Sequence, residues 1–225
     1  MFKSKLLVSS CAYGSGFAIG PNHILTAAHM LYRNDQQQYV NAKYIDFGKV
    51  GKKDKGVAGG YNIKIKKCVV LDSWKNPNLS DAERAPYDYG VCLVDTLPAS
   101  VGYMNIQVPP SGSNPISTAG YPLEAPWPPG YNADTALQKP FMTTETATIT
   151  DTDILFNSQS SRGQSGSPFF GAQGAAGAPA RPATGSRPPA FGVLTQASPT
   201  RTAGLALNAQ RIGTIRGWMG NELKP

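Results

Sequence analysis

Histidine is scarce in this sequence, and long hydrophobic runs are missing from it. Only two histidines, His23 and His29, occur among 225 residues, so any mechanism that needs an imidazole must use one of them. No apolar stretch reaches the roughly 18 residues that a membrane-spanning helix requires, which excludes such a helix. Charged residues make up 16% of the chain and hydrophobic residues 40%, a balance typical of a globular protein.

Cysteine is also rare, with Cys11, Cys68 and Cys92 far apart and no C-x-x-C pair. This spacing indicates neither a zinc knuckle nor a disulfide framework, and at most one bridge can form. Cys92 lies in an apolar run, where we expect a buried free thiol. A pairing of Cys11 with Cys68 stays open, and no metal or other cofactor is expected.

The net charge of +7 comes mostly from scattered basic residues. Lys64 and Lys66 alternate with Ile63 and Ile65, which predicts the solvent face of a strand. Nucleic acid and membranes are therefore not expected as partners, although a polyanion-binding surface stays as an alternative. The apolar run near Met1 is too short for an ordinary secretory signal. An intracellular protein, export by another route and a trimmed leader all stay open.

Short apolar runs separated by turn residues dominate the chain and predict an all-β protein. A Gly-Pro-Asn turn at 20–22 separates two such runs, which predicts a hairpin whose second strand leads to His29. The other predicted strands cover Tyr44–Phe47, Tyr61–Leu71, Gly90–Asp95, Ile116–Gly120, Met142–Ile149, Ile154–Ser158, Pro168–Phe170, Phe191–Gln196 and Gly204–Leu207. Helix is expected only after His29 and over Ala209–Leu223, where apolar residues recur at helical spacing.

Two segments lack packing residues. Pro109–Pro115 divides the strands into two groups, which predicts two β units over residues 1–108 and 109–225. Residues 172–190 consist almost entirely of Ala, Gly, Pro and Arg, which predicts a mobile surface loop. A hairpin tip without a role and a loop that faces the substrate both stay open for this segment.

Ser165 lies in a glycine-rich turn, Arg162-Gly-Gln-Ser-Gly-Ser-Pro168. Glycines at positions 163 and 166 let the backbone turn sharply and aim amide hydrogens at one point, as an oxyanion hole requires. Serine hydrolysis also needs an imidazole to take the proton and a carboxylate to orient the imidazole. Ser165 is therefore a candidate nucleophile.

The chain order of these three groups discriminates among folds. No histidine follows Ser165, which excludes the α/β-hydrolase order. The first aspartate, Asp35, follows both histidines, which excludes the subtilisin order. Only His, then Asp, then Ser remains, and this is the order of chymotrypsin-like enzymes.

Three segments resemble the signature segments of trypsin-like serine proteases: Leu25–His29, Tyr87–Val94 and Gly163–Pro168. Thr118–Pro122 further resembles a segment of the V8-like glutamyl endopeptidase branch. The resemblance implies two perpendicular antiparallel β-barrels with the active site between them. The barrel over 1–108 would carry the histidine and the aspartate, and the barrel over 109–225 would carry the serine and the substrate pocket.

The resemblance implies a serine endopeptidase that works through an acyl-enzyme on protein or peptide substrates. Ser165 would be the nucleophile, His29 the general base and then acid, and Asp88 the orienting carboxylate. The amides of Gly163 and Ser165 would form the oxyanion hole. A monomer without metal or organic cofactor is expected.

Each role has a competitor. Asp81 and Asp95 compete with Asp88, which we favour because it immediately precedes a strand that is expected to be buried. Ser167 competes as nucleophile, but it occupies a position after the catalytic residue that the family fills with glycine or serine. His23 is expected at the surface.

Two departures from the family bear on activation and specificity. Gln164 stands where trypsin-like zymogens have an aspartate that pairs with a freshly cut N-terminal amine. Activation through such an ion pair is therefore not expected. Leu194 stands where the V8-like branch has a pocket histidine. A glutamate side chain of the substrate would lose that charged donor, and a hydrogen bond to a charged group contributes about 1.5–3 kcal/mol. Strict glutamate specificity is therefore not expected. The expected pocket residues are Gln159, Ser160, Arg162, Leu194, Thr195, Gln196, Ala197 and Gly204.

No acidic residue stands at the expected pocket floor, so we expect cleavage after an uncharged or polar residue. Arg162 at the rim would favour acidic neighbours. The alternative function is a catalytically idle homologue that binds a peptide or protein in the cleft.

Overall fold

A computed structural model describes residues 2–5, 11–47, 61–99, 101–122, 140–157, 160–171, 187–197, 201–221 and 223. The described strands are β1 (Phe2–Lys5), β2 (Cys11–Gly14), β3 (Phe17–Gly20), β4 (His23–Thr26), β5 (Tyr32–Arg33), β6 (Gln38–Tyr39), β7 (Ala42–Phe47), β8 (Tyr61–Val70), β9 (Gly90–Val94), β10 (Asn105–Ile106), β11 (Gly112–Gly120), β12 (Phe141–Ile149), β13 (Asp153–Phe156), β14 (Pro168–Gly171), β15 (Pro189–Ala197) and β16 (Thr202–Ala206). The helices are α1 (Asp72–Lys75), α2 (Asp81–Arg84) and α3 (Ala209–Gly220), with 3₁₀ turns at Ala28–Met30 and Ala85–Tyr87.

The N-terminal strands form one antiparallel sheet in the order β2-β1-β7-β8-β9-β4-β3. Its two edge strands, β2 and β3, are separated in the chain only by Ser15 and Gly16, so the edges lie close together and the sheet curls into a half-barrel. Along β8, Ile63 is buried while Lys64 and Lys66 are exposed. The alternation predicted for this strand is therefore confirmed.

The C-terminal strands form a closed barrel. The sheet order is β10-β15-β14-β11-β12-β13-β16, and an additional pairing of β15 with β16 closes a ring of six strands. The short strand β10 adds to β15 in parallel. Inside the ring Phe156 and Phe169 are fully buried, and their rings meet edge to face at 5.2 Å between centroids.

One hydrophobic cluster joins the two sheets and the C-terminal helix. Leu25 and Val91 from the N-terminal sheet, Val193 and Leu205 from the barrel, and Ile215 from α3 belong to the same buried group. Because apolar burial is the main favourable term in folding, this shared cluster holds the two halves against each other. The catalytic candidates lie on elements that border it.

The predicted chymotrypsin-like architecture with a C-terminal helix is confirmed, and α3 lies within the range expected for it. The sequence reasoning did not predict α1 and α2, which are single turns too short to show periodicity. Ser80 and Glu83 cap α2 reciprocally. Division of the chain at residue 108 stays a prediction, although β10, which precedes that point, pairs with the C-terminal barrel.

Two expectations are wrong. Cys92 is not a free thiol, because it forms a disulfide with Cys68, its direct register partner on β8. The sequence separation of 24 residues gave no sign of this pairing, which depends on strand register. His23 does not lie at the surface: it is 6% exposed on β4, opposite Leu93.

The loop predicted over 172–190 lies mostly outside the described residues, and its last two residues begin β15. None of the described helices is both long and apolar enough to cross a membrane.

Candidate active site

His29 and Asp88 meet because of the register between β4 and β9. These strands are antiparallel and central in the N-terminal sheet, and Thr26 at the end of β4 pairs with Gly90 at the start of β9. His29 follows Thr26 by three residues on a 3₁₀ turn, and Asp88 precedes Gly90 by two. An antiparallel register brings the end of one strand beside the start of its partner, so the two side chains face each other.

Asp88 holds His29 at two points. The main-chain amide of His29 donates to Asp88 Oδ1 at 2.9 Å, and His29 Nδ1 lies 2.7 Å from Asp88 Oδ2. The Asp88 side chain is 9% exposed, whereas that of His29 is 33% exposed. If Nδ1 carries the proton, it donates to the carboxylate, and Nε2 is left with a lone pair on the more open side of the ring.

The pKa of His29 is raised above its ordinary value of 6.5. Burial is the largest single influence and acts in the opposite direction, because it disfavours the imidazolium. The negative charge of Asp88 and its hydrogen bond together outweigh burial. The pair is therefore built to stabilise a proton on the imidazole, as a general base requires once it has accepted one.

The C-terminal helix supports the segment that carries Asp88. Arg211 on α3 donates through Nη2 to the carbonyl of Pro86 at 3.1 Å, and through Nη1 to the carbonyls of Thr152 and Ala206 at 2.7 Å each. The ring of Trp218 lies 5.8 Å from that of Tyr89. Contacts from the C-terminal half thus fix the position of a carboxylate on the N-terminal half.

The competing carboxylates lie elsewhere. The Asp81 side chain is 98% exposed and pairs with Arg84. Asp95 is half exposed and lies 3.2 Å from Lys66 Nζ. Of these three aspartates, only Asp88 contacts His29, and its role as the orienting carboxylate stays a prediction.

Ser165 lies in the second of two consecutive tight turns. The Gln164 amide donates to the carbonyl of Ser161 at 3.2 Å, and the Ser167 amide donates to that of Gln164 at 3.0 Å. The third residue of each turn is a glycine with positive φ, +92° at Gly163 and +86° at Gly166. Type II turns require positive φ at this position, which is the physical reason for both glycines.

The two amides expected to form the oxyanion hole are unengaged. Within the part of the chain that the structure describes, neither Gly163 N nor Ser165 N donates a hydrogen bond. Backbone amides without a partner are costly to bury unless a ligand or water satisfies them. Two such donors beside a partly exposed serine can bind an oxyanion.

The two turns over residues 161–167, called the nucleophile turn below because Ser165 is the candidate nucleophile, pack directly on the N-terminal half-barrel. A Cβ on Gly166 would lie 2.0 Å from the carbonyl oxygen of Ser15 and 2.2 Å from Thr26 Oγ1. The Ser15 amide donates to the Ser165 carbonyl at 2.7 Å. The structure therefore brings the Ser165 turn against the end of the strand that leads to His29.

No hydrogen bond joins His29 to Ser165 among the described residues, where the imidazole bonds only to Asp88. In unliganded enzymes the bond between base and nucleophile is often long and tightens when substrate binds. The competing nucleophile Ser167 is fully buried and packs against Gly120. Ser165 is partly exposed and is the more accessible of the two hydroxyls.

One open pocket of about 390 Å³ is lined by three of the residues expected to form the substrate pocket: Thr195, Gln196 and Gly204. Leu194 is fully buried in the core of the C-terminal barrel. Its backbone nevertheless supports the nucleophile turn, since its carbonyl accepts from Gly166 N at 2.7 Å.

Ser160 is 6% exposed, and its hydroxyl has no hydrogen-bond partner among the described residues. Arg162 is exposed. Ala197 ends β15, with no side chain described, and Gln159 lies outside the described residues.

Sequence reasoning missed a second cleft, of about 530 Å³, beside His29. Its wall includes Tyr32 and Trp74, and the indole nitrogen of Trp74 donates to the carbonyl of Tyr32 at 3.4 Å. The same cleft carries charges of both signs, from Arg33, Arg84, Asp35 and Asp81. Trp74 is a lone aromatic in a polar segment, and that was the only signal in the sequence.

The described residues contain no group of three or more His, Cys, Asp or Glu side chains that could hold a metal ion.

Comparison with known proteins agrees with this geometry. The model of the trypsin-like peptidase domain matches residues 14–176. No curated protein matches the chain. Among solved structures, a Glu endopeptidase in complex with MPD has a TM-score of 0.65 at 19% identity, over 96% of this chain and 88% of that one.

Two further structures share the fold at low identity. The protease Anisep from Arthrobacter nicotinovorans has a TM-score of 0.63 at 16% identity, over 95% of this chain and 96% of its own. Human heparin binding protein has a TM-score of 0.64 at 12% identity, over 98% and 91%. Since the matched family model covers well over half of the sequence, the chain belongs to the trypsin-like peptidases.

Proposed function

We propose that the protein is a serine endopeptidase in which His29, Asp88 and Ser165 act together. The observation that carries this proposal is the two-point hydrogen bonding of His29 by Asp88, which fixes both the tautomer and the orientation of the imidazole. A histidine that served only to fill the core would not need a buried carboxylate on its Nδ1 side while its ring stays one third exposed.

The chemistry follows in two stages. Nε2 of His29 takes the Ser165 hydroxyl proton as Oγ attacks the carbonyl carbon of the substrate, and the carbonyl oxygen becomes an oxyanion that receives hydrogen bonds from Gly163 N and Ser165 N. His29 then gives the proton to the leaving amine, which leaves an ester on Ser165. Water repeats the same steps, releases the acid and restores the enzyme.

The proposed specificity is for an uncharged or polar residue before the cut. The buried Ser160 hydroxyl lacks a partner within the described residues, and a polar substrate side chain would satisfy it. The pocket that Thr195 and Gly204 line also carries the charged residues Asp153, Arg201 and Arg211, so the proposal depends on Ser160 and not on this pocket. A peptide-library profile tests this, and dominant cleavage after Arg, Lys or Glu would contradict it.

A catalytically idle homologue is the second candidate. Two observations favour it: the described residues show no hydrogen bond between His29 and Ser165, and one structural neighbour, seen both as wild type and as a mutant, is named for heparin binding. A fluorophosphonate probe separates the candidates, because it labels only a serine that is activated by its neighbours. Intact mass should show one adduct on the wild type and none on Ser165→Ala. A folded wild type without an adduct would favour the binding protein.

A further inference from the structure

Ser15 occupies the two-residue connection between the edge strands of the N-terminal half-barrel and is 3% exposed. Its hydroxyl donates to the Gly163 carbonyl at 2.9 Å and accepts from the Tyr121 amide at 3.2 Å. Its main-chain amide donates to the Ser165 carbonyl at 2.7 Å. One residue of the first half-barrel thus bonds both residues whose amides are expected to bind the oxyanion.

Thr26 holds Ser15 in turn. The Thr26 hydroxyl donates to the Ser15 carbonyl at 2.7 Å, and Thr26 is fully buried three residues before His29. A short chain of hydrogen bonds therefore runs from the strand that leads to His29, through Ser15, to Gly163 and Ser165. Ser15 thus bonds the carbonyls of both Gly163 and Ser165.

The peptide planes explain why these contacts matter. The Gly163 carbonyl lies in the plane of the peptide bond that joins Gly163 to Gln164. The φ angle at Gly163 is +92°. Fixing that carbonyl limits rotation of the residue whose own amide must point at the oxyanion. Oxyanion donors act only when they are preorganised about 2.7–3.1 Å from the developing charge, so a small rotation weakens them.

We propose that the Ser15 side chain is a positioning residue that sets the oxyanion hole by fixing Gly163. This inference rests on the proposed function. It assigns to a half-barrel connection a task in transition-state stabilisation that is separate from the His29 and Asp88 pair, because Ser15 Oγ contacts neither of those side chains.

The test uses Ser15→Ala, which removes the hydroxyl and keeps the main-chain bond to Ser165. The matched control is Ser117→Ala, because Ser117 is 2% exposed and its hydroxyl makes a part-buried hydrogen bond with Thr144 Oγ1 at 2.6 Å. The rate of fluorophosphonate labelling is measured against pH for both variants and the wild type, together with steady-state hydrolysis of p-nitrophenyl acetate.

Ser15→Ala should lower the rate of labelling at the high-pH plateau of the profile, called the labelling plateau, about tenfold or more. This loss is somewhat smaller than the roughly 100-fold loss on removal of a direct oxyanion donor. It should lower kcat for the ester with KM nearly unchanged, and the midpoint of the pH profile, which reports His29, should not move. Ser117→Ala should keep the wild-type plateau. General loosening of the fold would instead move the midpoint or affect both variants alike.

Several outcomes would overturn the inference: a Ser15→Ala plateau within about twofold of wild type, an equal loss in Ser117→Ala, or a loss confined to KM. Should Ser15→Ala fail to fold, Ser15→Gly replaces it, since it also removes the hydroxyl and keeps the main-chain bond to Ser165; a wild-type labelling rate in that folded variant would equally refute the proposal. If the folded wild type is not labelled at all, the proposed function fails, and that result is distinct from a failure of the Ser15 proposal alone.

Discussion

Gly166→Ala should damage both stability and activity, because Gly166 lies where the nucleophile turn packs tightly against Ser15 and Thr26 of the N-terminal half-barrel. Alanine would have to adopt φ near +86°, which costs about 1–2 kcal/mol. Its Cβ would also lie 2.0 Å from the Ser15 carbonyl oxygen, and relief of such an overlap costs about 1–3 kcal/mol. The expected loss in the free energy of unfolding is about 2–5 kcal/mol.

Two matched variants separate the contributions. Gly112 has φ of +90° and open space where a Cβ would stand, so Gly112→Ala should lose only the backbone part, about 1–2 kcal/mol. Gly213 lies inside α3 with open space around it, so Gly213→Ala should gain about 1 kcal/mol from helix propensity.

Urea unfolding followed by circular dichroism gives the three free energies. Fluorophosphonate labelling of Gly166→Ala should be nearly lost under conditions in which the variant is still folded, because relief of the overlap moves Ser165. A Gly166→Ala variant that is no less stable than Gly112→Ala, or one that labels at the wild-type rate, would refute the packing argument.

Three further predictions concern the His29–Asp88 pair and the disulfide. The rate at which Ser165 is labelled should fall as pH drops through a midpoint above 6.5, because Asp88 raises the pKa of His29. The Asp88→Asn variant should shift that midpoint downward, since burial then lowers the pKa of His29 without the opposing negative charge. An unmoved midpoint would contradict this reasoning. The same pair should stabilise the fold below pH 6.5 and lose that contribution as pH rises through the folded-state pKa. Reduction of Cys68–Cys92, which closes a separation of 24 residues, should lower the free energy of unfolding by about 3 kcal/mol in urea titrations; equal stability with and without reductant would exclude a structural role for the bridge.

The sequence alone predicted those features that depend on local pattern. The hairpin that leads to His29 is signalled by its turn residues, and α3 by apolar spacing. The Ser165 turn is signalled by two glycines that positive φ requires. In each case the physical cause lies within a few residues of the feature, so one stretch of chain contains the evidence.

Features that depend on contacts between distant strands were missed. The bond between Cys68 and Cys92 follows from the register of β8 against β9, and no local pattern specifies it. Ser15 looks like an ordinary turn residue, and its contact with Gly163 spans 148 residues of chain. His23 was expected at the surface because it adjoins a turn, but it is only 6% exposed within β4.

The central claim is that Ser165 becomes acylated with help from His29. Acid quenching shortly after mixing with p-nitrophenyl acetate, followed by peptide mass mapping, tests it most directly. An acetyl group should appear on Ser165 in the wild type and be absent from His29→Ala at the same time point. An acetyl group on Ser167, or no acetylated serine in the folded wild type, would contradict it.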